Sequence, residues 1–233
     1  MGNDTMDLAQ LASLLQRDER ELSKLANRGE LPGRKVGGNW RFATAEIQQW
    51  LESEMPGLNE AQLKSLEDAH PETTEPLITH LLPLDCVEVP LQARTPASVI
   101  RAMVRLAEQS WQIYDPDAIL SAAQAREERG STAQENGVAV LHPPRPMTDA
   151  LGESVMAFGR TAGGLPFGAE RGGLTDLFFL VCCRDQKTHL RVLARLSRLF
   201  LRADFLDQLR AAEAPADALG VIRDAETALL AAD

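Results

Sequence analysis

The sequence predicts two domains: a small, mainly α-helical domain first, and then an α/β sandwich in which helices flank a mixed sheet. With 233 residues, the chain is longer than a small domain built around a single hydrophobic core. An acidic stretch at residues 56–80, interrupted by three prolines, has the composition of a linker. After it, apolar strand-like runs alternate with helical patterns, as they do in α/β folds. We therefore predict domains at residues 1–55 and 81–233, joined by that linker.

The composition narrows the possible classes of function. A net charge of −10 gives no general reason to expect nucleic-acid or membrane binding, so any DNA contact must come from a local patch. No apolar run is long enough to cross a bilayer, and the first residues lack a secretory pattern. The three cysteines have neither disulfide nor metal-ligand spacing. We expect reduced core thiols in a cytoplasmic protein that holds no metal and no cofactor.

The first domain opens with two short helical patterns. Apolar residues recur at helical spacing in MDLAQLASLLQ and again in RDERELSKLANRG, where Gly29 is the predicted end of the second helix. The turn Gly37-Gly38-Asn39 lies between two β-prone runs and predicts a small hairpin. Thr44 is the predicted N-cap of a third helix.

This order of elements, with the segments GELPGRKVGGNWRF and IQQWL, resembles the excisionase-type winged helix-turn-helix domain. The resemblance implies DNA binding, and Arg34, Lys35 and Arg41 lie beside a glycine turn that can approach phosphates. Against this, the segment that would enter the major groove begins with residues 17–21, which contain three carboxylates. These repel phosphates unless one of them reads a cytosine amino group. A protein-interaction or dimerisation module is therefore an alternative. A monomer with so few cations should bind weakly, so DNA binding would require a homodimer on two half-sites.

The second domain is predicted from helix starts and apolar runs. Thr95-Pro96 and Asp115-Pro116 each begin a helix. Within the linker, Asn59 is the predicted N-cap of a helix that ends near Ala69. The remaining predictions are strands at 81–91, 138–141, 154–158 and 177–183, a turn at Gly163-Gly164, and helices at 186–201, near 205–211 and from 216.

One stretch, from Arg126 to His142, has the pattern of a reactive site. A charged helical segment breaks at Gly130, turns through Ser131 and Thr132, and continues as an apolar run that ends at His142. The turn offers unpaired backbone N–H groups, Arg126 a planar cation, and the imidazole a nucleophilic nitrogen. These residues fit an anion or phosphoryl site as well as they fit a strand that ends in a surface histidine.

The same stretch resembles the phosphorylation region of type-2 enzyme IIA domains, the mannitol, fructose and nitrogen-regulatory branch of the sugar phosphotransferase system. Ten of its seventeen positions match the family pattern R-E-x-x-G-S-T-G-x-G-N-G-V-A-I-P-H without a gap. The resemblance covers about residues 81–225. It implies that His142 accepts a phosphoryl group from a phosphocarrier such as HPr. It also implies supporting roles for Arg126, Ser131, Thr132 and His189.

Two departures from the family pattern alter the surroundings of His142. Leu141 stands where the family has proline, and Pro143-Pro144-Arg145 replaces a shorter segment after the histidine. Pro143 biases His142 toward an extended backbone, which could re-aim the ring. Arg145 could replace an arginine that the family places nearer the histidine.

Four arginines recur at helical spacing in the helix predicted at 186–201 and just after it: Arg191, Arg195, Arg198 and Arg202. We interpret them as a solvated face. The alternative is a docking face for an acidic partner, including the chain's own acidic linker. His70 and His80 have no metal-ligand spacing and are expected to face solvent.

Three functions remain open from the sequence. The first is a regulator in which the action of a DNA-binding head depends on phosphorylation of the enzyme IIA-like body at His142. The second is a phosphocarrier, an enzyme in which the head is only a tether. The third is a non-catalytic interaction module, which Leu141 and Pro143 would favour.

Overall fold

The computed structural model describes residues 5–15, 17–68, 77–202 and 204–232, so the expectation for His70 lies outside the described residues. They form two compact units: one holds the residues up to 68 together with 193–198, and the other holds the rest. The strands are β1 (Thr5–Met6), β2 (Arg34–Val36), β3 (Asn39–Ala43), β4 (Val87–Glu88), β5 (Val138–Leu141), β6 (Val155–Pro166) and β7 (Leu174–Cys182). The helices are α1 (Leu8–Leu15), α2 (Glu19–Arg28), α3 (Thr44–Glu54), α4 (Glu60–Asp68), α5 (Leu77–Leu81), α6 (Pro96–Glu108), α7 (Pro116–Glu127), α8 (Gln186–Phe200), α9 (Phe205–Ala211) and α10 (Pro215–Leu230).

The first unit has the predicted helix-turn-helix followed by a hairpin. The helix α2 ends at Gly29, whose φ of 75° is the left-handed conformation that glycine adopts readily. The strands pair antiparallel in the order β1-β3-β2. One detail of the prediction is wrong: α3 begins at Thr44 itself, and Ala43 occupies the N-cap position without a side-chain bond.

Part of the predicted linker is a helix that packs in the first unit. The amide N–H of Gln62 donates to Asn59 Oδ1 and that of Asn59 donates to Gln62 Oε1, each at 3.0 Å, so the predicted start of α4 is confirmed. Leu63 of this helix is buried. An apolar residue with that burial gives α4 a stabilising contact that a flexible linker would lack.

The second unit contains the predicted mixed sheet, with strand order β4-β6-β7-β5. The strands β4 and β6 are parallel, β6 and β7 are antiparallel, and β5 is parallel to β7. The predicted turn at Gly163-Gly164 is wrong, because β6 continues through both glycines and pairs Leu165 with Thr175 after an irregularity in register. Of the strand predicted at 81–91, only Val87–Glu88 pairs as a strand.

The helix α8 carries three buried arginines, so the predicted solvated face is wrong. The exposed fractions are 7% for Arg191, 2% for Arg195 and 2% for Arg198. Within the first unit, Arg195 forms an ion pair with Glu67 of α4, and Arg198 lies 2.9 Å from Glu67 and 2.6 Å from Glu60. The alternative, a face that docks the chain's own acidic linker, is therefore confirmed for Arg195 and Arg198. Without these carboxylates the buried guanidinium groups of Arg195 and Arg198 would be unpaired, which would cost several kcal/mol.

No helix among the described ranges is long and apolar enough to cross a membrane.

Candidate functional site

The imidazole of His142 is held at the end of β5 in a defined tautomer. Its Nδ1 lies 2.8 Å from the carbonyl oxygen of Val140, and its Nε2 lies 3.2 Å from Nε of Arg126. A carbonyl oxygen can only accept, so Nδ1 must carry the hydrogen. Arg126 can only donate, so Nε2 must present its lone pair. The ring is therefore the neutral Nδ1–H form, with its nucleophilic nitrogen directed at the guanidinium.

Arg126 comes from the last turn of α7 and is buried. Its Nη1 donates to the carbonyl oxygen of Gly130 at 3.0 Å while its Nε contacts His142. These two bonds fix the guanidinium between the turn that follows α7 and the imidazole. A planar cation in that position is suited to bind the oxygens of a phosphoryl group on Nε2.

His189 lies beside His142 because α8 begins there. The centroids of the two rings are 5.1 Å apart, and the ring planes are inclined by 58°. The first turn of α8 is fixed by Asp185, which accepts from Thr188 N at 2.9 Å and from Thr188 Oγ1 at 2.7 Å. Partial burial raises the pKa of Asp185, but the hydrogen bonds from Thr188 outweigh it and hold that pKa below the usual 3.8. The structure thus brings together the two histidines that the family resemblance implied.

Ser131 and Thr132 lie in the turn after α7, and Glu127 binds both of their hydroxyl groups. Thr132 Oγ1 donates to Glu127 Oε2 at 2.8 Å, and Ser131 Oγ lies 2.7 Å from both Glu127 Oε1 and the carbonyl oxygen of Phe167. The expectation of unpaired backbone N–H groups is wrong for two amides. Thr132 N donates to Glu127 Oε1 at 2.9 Å, and Ala133 N donates to Ser131 Oγ at 3.1 Å. Glu127 belonged to the sequence motif, but its role in holding this turn was not evident from spacing.

The residues that depart from the family pattern flank His142 closely. Leu141 and Pro143 are both buried. The side chain of Arg145 is exposed and makes no hydrogen bond to any residue that the structure describes. Arg126 is therefore the arginine for which the structure gives a contact with His142.

A second arginine fastens the turn that leads into β5. Arg210 Nε lies 2.9 Å from Asp176 Oδ2, and Arg210 Nη2 donates to the carbonyl oxygen of Asn136 at 2.6 Å. The hydrogen bond with Asp176 raises the pKa of Arg210 above its usual value. Gly137 has a φ of 86°, which side chains rarely adopt, and it passes against Arg210. Sequence reasoning missed Asp176 and Arg210, because neither lies near the motif along the chain.

The cysteines are buried free thiols, as predicted. Burial raises the pKa of Cys86 to about 11 and that of Cys182 to about 12. Burial also raises the pKa of Cys183. These thiols are therefore protonated at neutral pH and have core rather than reactive character.

The three cations predicted to contact DNA lie on two faces of the hairpin. Arg34 and Arg41 are directly opposite each other across β2 and β3, and Lys35 is opposite Trp40. Because neighbouring residues of a strand point to opposite faces, Lys35 is on the other face from the two arginines. Arg41 lies 3.9 Å from Asp7, a surface pair of little energetic weight.

A four-stranded mixed sheet with flanking helices, a strand-end histidine and a neighbouring arginine and histidine define an enzyme IIA-type domain, here preceded by a helix-turn-helix domain. Comparison with known families agrees. The family described as "Phosphoenolpyruvate-dependent sugar phosphotransferase system, EIIA 2" matches residues 80–225, and a helix-turn-helix domain matches residues 5–55. The chain belongs to this EIIA 2 family.

Its similarity to characterised proteins concerns the second unit. The fructose-specific EIIA component of Haloferax volcanii is 30% identical over 138 residues, which are 58% of this chain and 88% of that protein. The fructose-specific EIIABC component of Bacillus subtilis is 29% identical over 138 residues, 58% of this chain and 21% of the relative, so the chain spans about a fifth of its length. The nitrogen regulatory protein IIA-Ntr from Neisseria meningitidis shares the fold, with a TM-score of 0.56, 23% identity, and coverage of 63% of this chain and 99% of that one.

Proposed function

We propose that this protein is a cytoplasmic regulator linked to the phosphotransferase system, in which the head binds DNA and the body accepts a phosphoryl group on His142. The observation that supports the phosphoryl-transfer part is the orientation of the imidazole. Its Nδ1–H donates to Val140, which leaves the Nε2 lone pair facing Arg126. The same two contacts define the nucleophile and the cation that phosphoryl transfer requires.

The proposed reaction is a transfer between two histidines. The Nε2 lone pair of His142 attacks the phosphorus of a phosphohistidine on an HPr-like donor protein. A new N–P bond forms while the donor's N–P bond breaks, and the donor imidazole leaves with the electron pair. Arg126 then moves its hydrogen bond from Nε2 to phosphoryl oxygens, and His189 lies close enough to support the same group.

The carbonyl oxygen of Val140 stabilises the phosphorylated ring because it keeps accepting from Nδ1–H. Glu127 contributes indirectly, since it holds Ser131 and Thr132 in the turn next to Arg126. For either hydroxyl to donate to a phosphoryl oxygen, it would have to release its present acceptor.

The test is incubation of the full chain with enzyme I, HPr and phosphoenolpyruvate, followed by intact mass measurement. Wild type should gain the mass of one phosphoryl group, His142→Ala should gain none, and His189→Ala should still be labelled, more slowly. Arg126→Gln should be labelled more slowly than wild type, by roughly a hundredfold if it acts as an electrostatic donor. Labelling of His142→Ala would refute the assignment.

A non-catalytic interaction module is the second candidate, and Leu141 and Pro143 favour it because they depart from the family pattern on either side of His142. Absence of labelling in wild type with several phosphocarrier donors would establish this alternative. A phosphocarrier with the head as a tether would instead be labelled but would retain no DNA.

DNA binding is supported by the helix-turn-helix family match and by the cations Arg34, Lys35 and Arg41 on the hairpin. We propose binding as a homodimer on two half-sites, since one head has only seven Lys and Arg residues against nine Asp and Glu in residues 1–55. The measurement is retention of selected genomic fragments over a range of salt. Each neutralised phosphate should contribute a slope of about −0.9 in log affinity against log salt.

A further inference from the structure

The exposed face of α2 presents a row of cations that sequence reasoning overlooked. Arg20, Lys24, Asn27 and Arg28 are exposed, whereas Leu22 and Ala26 of the same helix are buried. At helical spacing these four positions fall within roughly 100° around the axis, and the cations follow one another at a rise of about 6 Å. Within the described part of the chain, the side chains of Arg20, Lys24 and Arg28 have no hydrogen-bond or ion-pair partner.

The carboxylates at the start of α2 do not cancel this row. Asp18 is the N-cap, and its Oδ1 accepts from Arg20 N at 2.8 Å and from Glu21 N at 3.3 Å. Glu21 forms an ion pair with Arg17. Glu19 is exposed, but it lies about 100° around the helix from Arg20. Two of the three carboxylates that seemed to oppose DNA binding therefore have local structural partners.

The hairpin adds a fourth cation to the row. Lys35 Nζ donates to Asn27 Oδ1 at 3.2 Å and lies 5.0 Å from the centre of the Trp40 ring. Asn27 Nδ2 in turn donates to the carbonyl oxygen of Ser23 at 2.7 Å. The amide of Asn27 is thus engaged on both sides, and its effect is to hold the ammonium group of Lys35 against α2.

We propose that Arg20, Lys24 and Arg28, together with Lys35, form the surface that reads double-stranded DNA, and that Asn27 is a positioning residue for Lys35. This inference rests on the DNA-binding part of the proposed function and makes it specific. Arg34 and Arg41, on the other face of the hairpin, are assigned at most sequence-independent phosphate contacts.

The chemistry of the row fits the major groove of duplex DNA. That groove is about 12 Å wide and admits one helix. Arginine and lysine there recognise O6 and N7 of guanine, so the favoured sites should contain guanines one to two base pairs apart. Single-stranded nucleic acid is bound largely by stacking on aromatic rings, and this face of α2 carries none.

The experiment selects a binding site for the full chain from a randomised duplex library and then compares that site with random duplex. Arg20→Gln and Arg28→Gln should each weaken binding to the selected site by about tenfold to a hundredfold. Their effect on binding to random duplex should be much smaller. Arg34→Gln and Arg41→Gln should weaken both duplexes equally, within about threefold. The matched control is Arg101→Gln, which removes the same charge from an exposed position on α6. It should leave binding to both the selected site and random duplex unchanged.

The role of Asn27 is tested by a double-mutant cycle. Asn27→Ala should weaken binding to the selected site in the wild-type background. It should cause no further loss of affinity when Lys35→Gln is already present. Additive losses would show that Asn27 does not act through Lys35. Equal weakening of selected and random duplex by the α2 variants would overturn the assignment of base reading to this row. Failure of wild type to bind any duplex would overturn the DNA-binding function itself, while phosphorylation of His142 would stand unaffected.

Discussion

Asp185 illustrates how one side chain positions a residue of the candidate site. Its hydrogen bonds with Thr188 begin the helix that carries His189. Asp185→Ala should therefore lower the free energy of unfolding by about 1 kcal/mol at neutral pH. Its folded-state pKa is below 3.8, so this contribution is fully present above about pH 3.8 and is lost as the pH falls through the lower folded value.

Urea unfolding of wild type and Asp185→Ala between pH 3 and 7 measures this difference. Asp204→Ala is the matched control, because Asp204 occupies the N-cap position of α9 without a bond to the helix backbone. A loss for Asp204→Ala as large as that for Asp185→Ala would show that capping is not the cause. A difference between wild type and Asp185→Ala that shows no decline toward the acidic end of this range would contradict the role of the ionised carboxylate.

Gly137 is required by both its conformation and its surroundings. A Cβ at this position would lie 2.6 Å from Arg210 Nη2 and 3.0 Å from Asp176 Oδ1, at a φ of 86°. Gly137→Ala should therefore cost roughly 2 kcal/mol and slow phosphorylation of His142, which follows the same turn. Gly163→Ala should be nearly neutral, since no atom of the described residues, apart from its two chain neighbours, lies within 4 Å of its Cβ position. Thermal melts measure the stability of both variants, and phosphorylation assays measure their labelling rates. Equal effects of Gly137→Ala and Gly163→Ala would contradict the requirement for glycine at position 137.

At the scale of elements, the signals that lie close together in sequence predicted the structure best. The helix α6 begins as expected because Thr95 and Ser98 form a capping box, and α7 because Asp115 accepts from Ala118 N. Likewise, Arg126 and His142 belong to one contiguous motif and meet in space.

Elements that depend on distant partners were predicted poorly. The length of β6 is set by its pairing with β7, which continues past two glycines that resemble a turn. The periodicity of the α8 arginines was recognised, but their burial depends on Glu67, 128 residues away along the chain. In the site, the bonds of Arg210 to Asn136 and Asp176 span 74 and 34 residues, and no local pattern encodes them.

The ion pairs between α4 and α8 give a prediction at this scale. Glu67 is 6% exposed and forms ion pairs with both Arg195 and Arg198, whereas the side chain of Glu60 is 50% exposed and, among the residues that the structure describes, pairs only with Arg198. Glu67→Ala should cost about 3 kcal/mol, because two buried arginines lose a shared carboxylate. Glu60→Ala should cost under about 1 kcal/mol, because solvent screens its charge. Hydrogen exchange of the α4 amides should rise accordingly, and equal effects of the two changes would contradict this account.

At the scale of the whole molecule, the cysteines report on the integrity of the second unit. Cys86, Cys182 and Cys183 are buried, and burial raises their pKa values. At pH 8 the folded protein should resist alkylation by iodoacetamide, because its thiols are both protonated and inaccessible. In denaturant all three should react within minutes, as counted by intact mass. Rapid labelling of any cysteine in the folded chain would show that the core opens more readily than its packing indicates.

The carboxylate of Glu226 has a consequence for how the protein is made. Glu226 is fully buried in α10, and it accepts from Ile78 N at 2.7 Å and from the amide and hydroxyl of Thr79 at 2.9 and 2.7 Å. The donors, at the start of the second unit, are therefore separated from their acceptor by nearly 150 residues along the chain. During translation the ribosome must release α10 before this closure can form, although the helix-turn-helix segment has emerged long before. We therefore expect the helix-turn-helix segment to fold while the body is still held open, whereas α4 gains its ion pairs with Arg195 and Arg198 only after α8 has emerged.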